Sequence, residues 1–157
     1  MLEVRAATLE DAEVITRHRR LMFMDAGHDD SSVLDVVSER FEPWVKERIL
    51  QDRYLGWLAV IDGRVVAGLG LLLLDWPPHP LDPGQSLRAY LLNMYVEPGH
   101  RRQGLGGRLM DRALDEARRR KIRVTALHAT DAGRSLYESK GFKATNEMFY
   151  LEPEPIS

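Results

Sequence analysis

The residues best equipped for chemistry lie in one run, Asn93-Met94-Tyr95-Val96-Glu97-Pro98-Gly99-His100-Arg101-Arg102-Gln103-Gly104-Leu105-Gly106-Gly107-Arg108-Leu109-Met110. An apolar stretch ends at Val96, Pro98 and Gly99 interrupt it, and a turn rich in glycine and arginine leads into a helical pattern. The free N–H groups and positive dipole end of that helix point back at the turn, which makes the turn an anion site. Gly104, Gly106 and Gly107 let an oxygen-bearing ligand approach the backbone, while Arg101, Arg102 and Arg108 add positive charge. A pyrophosphate fits such a cradle.

Two common phosphate loops do not fit. The Walker pattern needs Gly-Lys followed by Ser or Thr, and the chain has Gly107-Arg108-Leu109, without the lysine or the magnesium-binding hydroxyl. The dinucleotide fingerprint matches at Gly104 and Gly106 but fails at Leu109, and Ile122 to Leu127 offers no acid for a ribose. His18, His28, His79, His100 and His128 lack paired ligand spacing, so no metal is expected.

Read as a pattern, Arg101, Gly104 and Gly106 form R-x-x-G-x-G directly after a strand ending Met94-Tyr95-Val96-Glu97-Pro98. One helix and one strand later comes Ser135-Leu136-Tyr137-Glu138-Ser139-Lys140-Gly141-Phe142, of the form L-Y-x-x-x-G-F. These two motifs resemble the hallmarks of the GNAT (GCN5-related N-acetyltransferase) superfamily, in particular its bacterial small-molecule members. Arg5-Ala6-Ala7-Thr8 with Asp11 is also similar to the usual opening of that superfamily. The resemblance covers essentially the whole chain.

The resemblance implies a cosubstrate, acetyl-CoA. Its pyrophosphate would meet the amides of Gln103, Gly104, Leu105, Gly106 and Gly107 and the side chains of Arg101, Arg102 and Arg108. Its pantetheine would run beside Met94, Tyr95 and Val96, where the strand splays from the next one. Thr130 stands where the family has a coenzyme-contacting asparagine, and Tyr137 matches the tyrosine that protonates the leaving thiolate. The base is open: the family's strand glutamate has no counterpart among Leu92, Asn93 and Met94, which leaves Asp75, His79, Tyr90 and His128. Tyr137 can also be read as an amphipathic core residue.

The implied reaction is transfer of an acetyl group to a primary amine by direct attack in a ternary complex. The acceptor is a small-molecule or protein amine, and a homodimer is an expectation of the resemblance alone. The alternative is an acyl-CoA-binding sensor or interaction module with a degenerate transferase site. Transfer to a hydroxyl would demand a stronger base than any evident. Met22, Phe23 and Met24 with Trp44, and Trp76 in its proline-rich loop, read equally as core or as an acceptor pocket.

The elements that must position these residues follow from periodicity and breakers. Strands are expected at Glu3 to Ala7, Leu55 to Ile61, Arg64 to Leu74, Ser86 to Val96, Arg123 to His128 and Asn146 to Leu151. Asp62-Gly63 marks a tight hairpin. A helix follows Thr8, a second from Ser32 to Asp52 should kink or divide at Pro43, a third spans Leu105 to Arg120 and a fourth Ala132 to Lys140. The fold class is α/β (α+β): a mixed, mostly antiparallel sheet of about 6–7 strands with about four helices.

At 157 residues the chain reads as a single domain, 1–157, able to bury its own core without staples. It contains 22 basic and 24 acidic side chains, and this near balance argues against a nucleic-acid partner, whose binding rests on neutralising phosphates. The longest apolar run, Val65 to Leu74, falls short of the ~20 residues a membrane helix needs. There is no cysteine, hence no thiol nucleophile and compatibility with a reducing compartment; a cytoplasmic location is expected.

Overall fold

The computed structural model describes residues 1–155. The chain runs β1 (Leu2–Ala6), α1 (Ala12–Asp25), α2 (Ser31–Leu50), β2 (Tyr54–Ile61), β3 (Arg64–Asp75), β4 (Leu87–Val96), α3 (Leu105–Arg119), β5 (Thr125–Leu127) and α4 (Arg134–Ser139). Short 3-10 turns at Leu9–Asp11 and Pro98–His100 lead towards α1 and α3. The strands form one sheet in the order β1-β2-β3-β4-β5. All neighbours are antiparallel except β4 and β5, which lie parallel because α3 carries the chain back across the sheet.

Local chemistry accounts for the elements. Asp62 and Gly63 take φ of 50° and 79°, the left-handed pair that a two-residue hairpin turn requires, and join β2 to β3. Thr8 and Asp11 form a capping box at the first helical turn, and Arg5 donates two hydrogen bonds of 2.8 Å to the Asp11 carboxylate, tying β1 to the start of α1. That guanidinium holds the Asp11 carboxyl below its ordinary range.

Two apolar faces sandwich the sheet. Leu105, Leu109, Met110, Ala113 and Ala117 of α3 cluster with Leu69, Leu71 and Leu91 on one face. On the other, Ala12, Ile15, Phe41 and Val45 of α1 and α2 cover Tyr54 and Leu58.

The structure corrects two expectations. Five strands are formed among the described residues, not six or seven. Asn146 to Leu151 belongs to no strand, and Met148, Phe149, Tyr150 and Leu151 all lie exposed, with no ladder partner to reward their alternation. The second helix neither divides nor ends at Pro43 but runs through it. Pro43 lies on the exposed side, between buried Phe41 and Val45, so the carbonyl it cannot serve can turn to water while the apolar stripe keeps the helix against the sheet.

One close approach sets the middle of the sheet. A Cβ at Gly70 would stand 2.2 Å from the Tyr54 hydroxyl, so the tyrosine ring crosses β3 through the space that glycine leaves. Gly70→Ala should therefore lower unfolding stability by about 1–3 kcal/mol, as overpacking does in a close-packed core. Gly84→Ala, where nothing lies within 4 Å, is the control expected to change little. Urea unfolding of the two variants checks the difference.

Candidate active site

The site begins with a strand that loses its neighbour. β4 pairs with β5 only at Ala89, Leu91 and the residue between them, so among the described residues Leu92 to Val96 have no strand on that side. Against β3 the ladder slips between Gly68 and Gly70, and Asn93 at the slip takes a left-handed φ of 59°. The slip reverses the alternation of β4. Leu87, Ala89 and Leu91 face α3, as do Met94 and Val96, whereas Leu92, Asn93 and Tyr95 face α1 and α2.

On the α1 and α2 face a buried polar chain holds the slip. Asn93 donates from Nδ2 to the Tyr54 hydroxyl at 3.0 Å and accepts at Oδ1 from Arg19 Nη1 at 2.6 Å. The Arg19 guanidinium lies 4.7 Å from the Phe23 ring centroid and 4.8 Å from that of Phe41. Burial pushes the Tyr54 phenol up to about 12, so it remains protonated. Next along β4, Tyr95 packs on His18 with centroids 5.0 Å apart. His18 Nε2 lies 3.4 Å from Glu97 Oε1, whose carboxylate also meets Arg64 at 2.8 Å and Arg17 at 3.6 Å.

The α3 face carries the turn. Gly104 takes φ 77° and Arg102 φ 61°, and no side chain caps the first N–H groups of α3. Among the described residues neither Arg102 nor Arg108 pairs with a carboxylate, and both are exposed. Arg101 is engaged elsewhere: its Nε donates to the Val96 carbonyl at 2.8 Å and its Nη2 to Asp25 at 2.6 Å. A Cβ on Gly106 would come within 3.1 Å of Leu136 and 3.7 Å of Met94 Sδ, so this glycine lets α4 and β4 close over the helix start. Leu105 is buried beneath it, Gln103 lies exposed in the turn, and a Cβ on Gly107 would make only ordinary contact with Lys140.

Tyr137 stands on α4 beside this region. Its ring lies against Gly133, where a Cβ would approach within 2.8 Å, and edge-on to Phe142 at 6.2 Å. Among the described residues its hydroxyl has no hydrogen-bond partner, and burial raises its pKa. Exposed Thr130 opens the turn before α4 and accepts from the Gly133 amide at 3.1 Å.

The residues considered as bases do not converge. Asp75 is exposed and 3.5 Å from Arg53, His79 Nδ1 accepts from the Leu81 amide in the proline loop, and His128 is exposed beyond β5. Tyr90 lies half-buried on β4, where burial raises its pKa. Among the described residues no group of three or more His, Asp or Glu side chains is placed to hold a metal ion. Sequence reasoning missed Arg19, Tyr54 and Asn93. The available signals were an arginine four residues before Phe23 with no acid one turn away, and a glycine in the apolar run of β3.

The β4 strand, left by β5 after Leu91, thus runs into a basic helix start on a mixed sheet. Residues 16–142 match the acetyltransferase (GNAT) family, and the chain belongs to that family. A GCN5-related N-acetyltransferase from Ralstonia eutropha JMP134 is 39% identical, with a TM-score of 0.92 over 97% of this chain and 99% of that one. A predicted acetyltransferase with acetyl-CoA from Clostridium acetobutylicum has a TM-score of 0.86 at 24% identity, over 97% and 96% of the two chains. An aminoglycoside N-acetyltransferase in complex with a bisubstrate analog of CoA has a TM-score of 0.72 at 17% identity, over 99% of each. Among curated proteins none matches. Among the described residues no helix is long and apolar enough to cross a membrane.

His18 yields a pH prediction. Burial outweighs the neighbouring Glu97 carboxylate and holds the imidazole below its ordinary 6.5, so it is neutral in the folded chain near pH 7. Its contribution to stability is complete above 6.5 and declines as pH falls from there through the folded pKa, because the unfolded chain takes up the proton first. Between about pH 7 and pH 5 the wild-type chain should lose stability more steeply than His18→Gln, measured by urea unfolding at each pH.

Proposed function

We propose that the protein is an N-acetyltransferase that moves the acetyl group of acetyl-CoA to a primary amine by direct attack within a ternary complex. The observation that carries this reading is the open edge of β4 from Leu92 to Val96 running into the α3 turn, where Arg102 and Arg108 lack carboxylate partners. The fit to acetyl-CoA is good on chemistry: N–H groups that no side chain caps and two guanidinium groups without carboxylate partners among the described residues suit a pyrophosphate, and the edge of β4 from Met94 through Tyr95 to Val96, paired with β3 but not with β5, suits an amide-bearing pantetheine arm. When bound, acetyl-CoA supplies an activated thioester.

The chain's own residues divide the work. Gln103, Gly104, Leu105, Gly106 and Gly107 present backbone amides, and Arg102 and Arg108 present charge. Arg101 holds the end of β4 to α1 through Val96 and Asp25, so its role is to keep the strand and turn in register. Thr130 borders the same cleft from the α4 turn. The neutral amine nitrogen bonds to the acetyl carbon as the carbon–sulfur bond breaks, the Tyr137 hydroxyl gives its proton to the leaving sulfur, and the proton shed by the nitrogen returns through water to the Tyr137 oxygen. Burial keeps that hydroxyl protonated at neutral pH, and it has no competing partner among the described residues. The acceptor is a small-molecule or protein amine reaching the cleft from the α1 and α2 face. A cytoplasmic, single-domain protein able to form a homodimer completes the proposal.

Tyr137→Phe should reduce kcat for thiol release by about 100-fold or more while the KM for acetyl-CoA changes little. Arg102→Ala with Arg108→Ala should raise the KM for acetyl-CoA by about tenfold or more, with a shallower salt dependence. Calorimetric titration with acetyl-CoA and NADH, followed by thiol release over an amine panel, tests the whole reading. Binding of acetyl-CoA without release from any amine would point instead to the sensor module.

A further inference from the structure

Four consecutive basic side chains of α1, Arg17 to Arg20, meet different fates around β4. Arg17 pairs with Glu97 at 3.6 Å and Arg20 with Asp35 at 2.8 Å, and His18 lies buried against Tyr95. Arg19 has no carboxylate within ion-pair distance among the described residues. Of the five N–H donors of a guanidinium it uses one, toward Asn93 Oδ1 at 2.6 Å. Its Nε is buried without a partner, and its Nη2 has no partner and is not sealed from solvent. The phenyl faces of Phe23 and Phe41, at 4.7 and 4.8 Å, offset part of its lost hydration but supply no counter-charge.

The place of this cation decides what it can serve. Asn93 immediately precedes Met94, where the splayed strand borders the proposed acetyl-CoA cleft, and Arg19 approaches from α1, across the sheet from the α3 turn. An anion at Arg19 therefore belongs to the second substrate and not to the coenzyme. A single cation walled by two phenyl rings, with the adjacent Arg20 already neutralised by Asp35, matches a monoanion better than a phosphate dianion.

We infer that Arg19 is the docking cation for the acceptor, so that the acceptor is a primary amine carrying a carboxylate, the class of amino acids and their derivatives. The inference rests on the transferase reading above. It assigns Arg19 a positioning role: binding the carboxylate orients the amine toward the strand at Asn93 and Met94, and Asn93 with Tyr54 holds the guanidinium in place.

The test compares matched pairs, each an amino acid and its carboxamide with small, acidic or basic side chains, by steady-state thiol release. For at least one pair the wild-type chain should favour the acid in kcat/KM by about tenfold or more. In Arg19→Met that acid-to-amide ratio should fall to near one, and in Arg19→Lys, which keeps the charge but not the fork, it should recover in part. Thermal unfolding of both variants establishes that they fold. A wild-type preference for carboxamides or for amines without an acid group, or an unchanged ratio in Arg19→Met, overturns the inference.

A second arm reads Arg19 without turnover. With CoA present, calorimetric titration with the N-acetyl derivatives of the same amino acids should show binding that weakens about tenfold or more in Arg19→Met. N-acetyl carboxamides binding equally well, or no binding of the acids to the wild-type chain, overturns the assignment. Binding of the acids with no thiol release from any amine would overturn the transferase reading while supporting Arg19 as a carboxylate site.

Discussion

The Asn93 side chain, held between the Tyr54 hydroxyl and the Arg19 guanidinium, is the contact on which the site depends. It stands at the slip in β4, where one residue in a left-handed conformation changes which face the next side chains address. A left-handed asparagine is tolerable because its short amide bonds locally, and here both ends of that amide are satisfied inside the protein. Without those partners, a buried amide, a fully buried phenol and a half-buried cation would each lie without compensation. The slip, the helix α1 and the strand β2 are thus locked by a single side chain.

That lock separates two kinds of charge across β4. On the α3 face, Arg102 and Arg108 stand at an uncapped helix start, exposed, suited to a mobile and highly charged ligand. On the α1 and α2 face, Arg19 is half-buried and aromatic-walled, suited to a smaller and less charged one. Arg101 links the two sides by reaching from the turn to Asp25 at the end of α1. One fold can host different chemistries by changing the elements around a site.

Much of the frame was legible because its signals are local. Asp62-Gly63 specified its hairpin through backbone conformation, and the apolar spacing from Leu105 to Ala117 specified the buried face of α3. The turn from Arg101 to Gly104 was readable from residue types and order as the break between β4 and α3. What escaped depends on tertiary partners. The Arg19, Tyr54 and Asn93 chain joins residues from three distant elements, and no spacing within one element encodes it. The division expected at Pro43 does not occur, because its effect on a helix depends on which side faces water. The alternation from Asn146 to Leu151 forms no strand either, since a strand needs a neighbour that periodicity cannot supply.

The shortness of the β4 and β5 pairing sets where the fold gives way first. Three aligned residue pairs attach β5 to the sheet, and no strand lies beyond it among the described residues. The amides of β5 should therefore exchange with solvent through local fraying long before those of β2 and β3, whose ladder spans both strands inside the core. The mouth of the cleft can widen at the small cost of separating one short strand, leaving the rest of the sheet undisturbed. Opening at that edge is thereby uncoupled from global unfolding, and the shortest ladder in the sheet lies beside the proposed acetyl-CoA cleft.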